Sequence, residues 1–117
     1  MNKMEENRRN QIISAKHVMI KDLEKMEIGS RVQIIGFVKG KIEEENIILD
    51  DRTGEIKINI KKLKFPFKTD DLVNIFAKVE PTMDGEKKLE AIFFQDMSNL
   101  NFEHFQKLYE MKKELTE

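Results

Sequence analysis

The chain has 117 residues, 39% of them apolar and 37% charged, which supports one modest core and leaves no room for a second. With 21 basic and 22 acidic residues the net charge is −1, so the chain as a whole is not a strongly basic nucleic-acid binder. It has no cysteine, which excludes disulfides and thiolate metal sites, and no run of about 18 apolar residues that would span a membrane.

Residues 1–16 read as a polar arm. The opening "MNKMEENRRNQ" lacks the apolar stretch of a signal peptide, so the expectation is an intracellular protein, cytoplasmic or nucleoid-associated in a prokaryotic host. "HVMIKDLEKMEIGS" (17–30) begins extended, turns polar and ends at Gly29-Ser30. Alternation then becomes clear, with Val32, Ile34 and Val38 on one face and Gln33, Ile35, Phe37 and Lys39 on the other. Gly36 and Gly40 mark a bend or bulge in this long first strand.

A charged turn at Glu43–Glu45 leads to a second strand over 46–50, and "DDRTGE" turns the chain into a third over 54–61. In "KKLKFPFKTDD" Pro66 argues against a helix. The fourth strand, 72–80, places Val73, Ile75, Ala77 and Val79 inward and Asn74, Phe76 and Lys78 outward. Asp84-Gly85 is a hairpin signal before the fifth strand, 88–97. After "SNLN" the period changes from 2 to 3.6. Phe102, Phe105, Leu108, Tyr109, Met111 and Leu115 share one side of a terminal helix over 99–117, and Ser98, Asn99 or Asn101 can cap it.

Five strands, the first long and glycine-bent, followed by an amphipathic helix predict a five-stranded OB-fold barrel over 17–98. An SH3-like barrel would be shorter, without so long a first strand. Asp51-Arg52-Thr53-Gly54 fits a type I turn with Gly54 in the left-handed region, so Asp50 and Asp51 are read as turn residues rather than catalytic carboxylates. His17 and His104 have no metal-ligand spacing, and no nucleophile constellation is present, so neither a metal or cofactor nor an enzymatic activity is expected.

With Ile56, Ile58 and Ile60 inward, Glu55, Lys57, Asn59 and Lys61 point outward, joined by Phe37 and Lys39 on the first strand and Phe76 and Lys78 on the fourth. Rings beside lysines suit a single strand of nucleic acid, with a base on the ring and a phosphate at the ammonium. The same pattern also fits a solvated face with scattered apolar residues. The lysine-rich "KINIKKLKFPFK" (57–68), which includes Lys62, carries no acid. The helix likewise has two readings: a cap on its own barrel, or an interface offering Phe102, Phe105, Leu108, Tyr109 and Leu115 to another subunit.

The segments "RVQIIGFVKG", "IILDDRTGEIKI", "LVNIFAKVE" and "EKKLEAIFFQDMSNLNFEHFQKLYEM" resemble the middle subunit of replication protein A, the single-stranded-DNA-binding complex, and the related Stn1 subunit of telomere-capping complexes. The resemblance covers residues 17–115. It implies an OB-fold that binds single-stranded DNA, or RNA, in replication and repair, and a C-terminal helix that assembles with partner subunits. The absence of a Ser-rich tail and a winged-helix domain points to a minimal, archaeal type. Where that family stacks bases, near the end of strand three and in the hairpin between strands four and five, this chain has Lys61-Lys62 and Met83, with Phe65 and Phe67 nearby. The alternative to nucleic-acid binding is an OB module used for protein interaction or scaffolding.

Overall fold

The alternating segments form six strands in the computed structural model, which describes residues 15–61 and 63–116, with side chains as far as residue 112. They are β1 (Lys16–His17), β2 (Arg31–Ile42), β3 (Asn46–Asp50), β4 (Glu55–Asn59), β5 (Leu72–Pro81) and β6 (Lys87–Asp96); α1 (Phe102–Thr116) follows. The order β2-β3-β4-β6-β5 returns to β2, so five strands close on themselves. The short β1 adds to β2 in parallel, Lys16 opposite Val32 and His17 opposite Gln33.

Closure depends on β2 serving two neighbours. Its first half pairs with β5 over Arg31–Phe37, its second with β3 over Phe37–Ile42, and the register shifts between Val38 and Gly40. Gly36 sits just before the changeover. A Cβ there would lie 2.8 Å from the backbone oxygen of Asp50, so any side chain would push β3 away from β2.

Val32, Ile34, Val38, Ile47, Leu49, Ile58, Val73 and Ile75 fill the interior. The segment after β4 adds to it. Phe65 is buried, Leu63 and Phe67 pack partly buried against the core, and Lys64, Pro66 and Lys68 stay exposed. This period of 2 persists without a strand ladder because Pro66 holds its neighbours extended and offers no N–H. The rings of Phe65, Phe67 and Phe94 meet edge to face at 5.0–5.5 Å and join the main core.

Three features differ from the sequence reading. The polar part of 17–30 holds a 3₁₀ helix, Ile20–Lys25. At the β3–β4 turn the left-handed residue is Arg52, φ 69°, not Gly54. The Asp50 carboxylate accepts from Arg52 N at 2.7 Å and that of Asp51 from Thr53 N at 2.9 Å, which bends the chain two residues earlier than the glycine would. Gly54 is needed for a different reason: a Cβ would meet Ile20 Cγ2 at 3.2 Å. Third, β5 is buried on both faces as far as Ala77: of Asn74, Phe76 and Lys78, placed outward by alternation, the first two are buried and Lys78 is half-buried. Of the two readings of the helix, the packing fits the cap: α1 folds back on its own barrel. Residues 1–14, most of the predicted arm, lie outside the described residues.

Candidate nucleic-acid interface

The β3–β4 turn holds the barrel, the 3₁₀ helix and α1 together. Asp51 is 1% exposed. Its carboxylate accepts Ile20 N at 2.8 Å, Thr53 N at 2.9 Å and the Thr53 hydroxyl at 2.6 Å, and its backbone oxygen accepts Gln106 Nε2 at 3.2 Å. A buried carboxylate so engaged is structural. The reading of Asp50 and Asp51 as turn residues therefore fits their hydrogen bonds.

Asn101 caps α1, its side-chain oxygen accepting His104 N at 3.0 Å. Phe102, 5% exposed, then inserts against Ile35 and Leu72, with Phe37 at 5.1 Å edge to face. Farther along, Phe105 lies 5.1 Å from the ring of His17, and the Tyr109 hydroxyl donates to the His17 backbone oxygen at 3.3 Å. Lys21–Glu110 at 3.0 Å and Arg52–Glu103 at 3.7 Å flank the contact. Burial under the helix, reinforced by the charge of Lys112, lowers the pKa of His17 below its ordinary 6.5.

Of the five helix residues expected at a partner interface, three therefore face this chain's own barrel. Leu108 and Met111 remain 52% and 57% exposed. The side chain of Leu115 lies outside the described residues.

The expected nucleic-acid face divides in the same way. Phe37 is covered by Phe102 and carries the Arg52 guanidinium 5.1 Å from its ring centre. Phe76 is 5% exposed against Phe93 at 5.7 Å, so no face of it is free for a base. Lys78 pairs with Glu80 at 3.8 Å and Lys39 with Asp50 at 3.9 Å. The groove where α1 begins is lined by Asp70, Asp71 and Glu103 against Arg52, the wrong balance of sign for phosphate.

What stays open is the outer face of β3 and β4. Gly40, Ile48 and Lys57 form one cross-strand row, and Ile42, Asn46, Asn59 and Glu90 the next. Lys57 and Lys61 are exposed, and Asn59 Oδ1 accepts Lys61 N at 3.0 Å, which leaves its Nδ2 as a donor. Lys62 lies outside the described residues. The sequence reading missed Asn46, Ile48 and Lys64, although alternation in "NIILD" already placed the first two outward.

No family model matches the chain, and no curated protein matches it. Solved structures do. The telomere-capping protein Ten1 of Saccharomyces pombe superposes with TM-score 0.71 at 12% identity over 86% of this chain and 99% of that one. A chain of the S. pombe Stn1–Ten1 complex gives 0.73 at 12% over 86% and 93%. Replication protein A of U. maydis, solved with single-stranded DNA, gives 0.59 at 15% over 84% and 88%. The chain has the OB-fold. In this fold oligonucleotides lie across the second and third barrel strands, between the hairpin loops, and those strands are β3 and β4 here. The flanking hairpins carry Glu43–Glu45 and an exposed Met83. Among the described residues no three potential ligand side chains group into a metal site, and no helix is long and apolar enough to cross a membrane.

Proposed function

We propose that this protein is a single-stranded-nucleic-acid-binding subunit of a replication protein A-like complex in DNA replication or repair, a binding role rather than a catalytic one. The observation that carries it is the outer face that the described residues leave uncovered. It is the β3–β4 face that OB-folds use, and it presents Lys57, Asn59 and Lys61. Similarity in fold to proteins named for telomere capping and for binding single-stranded DNA supports the reading. Assembly falls to the remaining apolar surface of α1, Leu108 and Met111.

The test is the chain purified with the proteins that accompany it in its host, assayed as complex and alone on labelled single-stranded DNA and RNA at graded salt. Binding that weakens steeply with salt supports the proposal; no binding by the complex at low salt ends it. A second reading, a protein-interaction module, is favoured by one feature, the exposed acidic hairpin Glu43-Glu44-Glu45 beside the open face. Strand binding unaffected by this subunit's removal from the complex would select it.

A further inference from the structure

All nine aromatic residues of the chain, eight Phe and one Tyr, lie among the described residues; Phe65, Phe76 and Phe102 are buried and the other six are half-buried. They form two continuous series. Phe76, Phe93, Phe94, Phe65 and Phe67 link at 5.0–6.3 Å, and Phe37, Phe102, Phe105 and Tyr109 link at 5.1–6.4 Å. The first series plugs the barrel and continues over β5 and β6; the second fastens α1. Every ring packs against another ring, and the open face has none.

That face offers cations instead. Lys57, Lys61 and Lys64 are exposed and enter none of the ion pairs that hold Lys21, Lys25, Lys39 and Lys78. Lys57 is an outward position of β4 and Lys61 follows on the same phase; a turn closed by Leu63 N donating to Ile60 O at 2.9 Å then shifts the phase by one residue, so that Leu63 and Phe65 turn into the core and Lys64 is exposed just beyond it. Beside them Gly40 leaves open space, and the only apolar side chain in the Gly40–Ile48–Lys57 row is aliphatic.

Resting on the proposed function, we infer that this subunit holds a single strand by its phosphodiester backbone alone, with no base stacked on the protein, through Lys57, Lys61 and Lys64. Its ligand class is any flexible polyphosphodiester, whatever the bases.

Two strands of equal length test this, one of thymidines and one wholly abasic, titrated against the full chain and against its complex. The inference expects equal affinities, within about twofold. Lys57→Glu/Lys61→Glu/Lys64→Glu should lower both together by at least about tenfold at low salt and flatten their salt dependence. These side chains are exposed, so a matching melting curve checks that the variant folds. Each stacked base would add about 5- to 150-fold to the thymidine strand. Tighter binding of that strand by such a factor overturns the inference and leaves the function standing. Binding of neither strand by the chain or its complex overturns both.

Discussion

The outer surface of the barrel has two regions built by the same alternation and put to opposite uses. On β2 and β5 the outward positions are Ile35, Phe37, Leu72 and Phe76, and α1 lies on the first three through Phe102. On β3 and β4 they are Asn46, Ile48, Asp50, Glu55, Lys57 and Asn59, and the face stays in water. Closing the barrel satisfies both inner faces alike, so the outer residues alone decide which side recruits a cover. An aromatic placed outward by alternation is thus a sign of a covered face at least as much as of a stacking platform.

The largest effect that can break this contrast is Phe102→Ala. Loss of a buried ring should cost about 3–5 kcal/mol in urea unfolding. Lys57→Ala, on the open face, should stay within about 0.5 kcal/mol. Equal effects would mean that α1 is not part of the fold. Gly36→Ala should cost about 1–3 kcal/mol, because the new methyl meets the Asp50 carbonyl where β2 passes from one region to the other. Asp51→Ala should cost a similar 1–3 kcal/mol, as it strands the amide of Ile20, and hydrogen exchange should rise first in the 3₁₀ helix and α1 rather than across β3.

The smallest effect is on pH. The folded protein holds the pKa of His17 below 6.5, so the unfolded chain binds more protons in the range just below that value. The contribution is fully present above pH 6.5 and is lost as pH falls through the folded pKa. His17→Phe should remove that part of the decline in melting temperature between neutral and mildly acid solution, while Lys57→Ala leaves it in place. An unchanged slope in His17→Phe would show that the covered region does not sense the proton.

Much of the barrel is legible in the residues alone. Period-2 runs mark the five long strands, the helix follows from the change to period 3.6, and Asp84-Gly85 signals its hairpin, where Gly85 takes φ 86°. Gly36 announces the bend. Turn chemistry locates the β3–β4 turn but points to the wrong left-handed residue, because two aspartates in succession offer the backbone a tighter hydrogen-bonded path than the glycine does. Of the expected interface, Lys57, Asn59 and Lys61 stay on open surface, whereas Phe37 and Phe76 do not.

The sequence by itself determined which strand residues face inward, because a strand's side chains alternate with a fixed period and one face of a closed sheet has to fill the barrel. It also determined that a helix with one apolar side ends the chain. Only the tertiary structure decided what that side covers. Period and hydrophobicity are properties of one segment, whereas the burial of Phe37 or Phe102 depends on a partner about 65 residues away in the chain, and nothing local to either ring records whether its neighbour will be a base, another subunit or this chain itself.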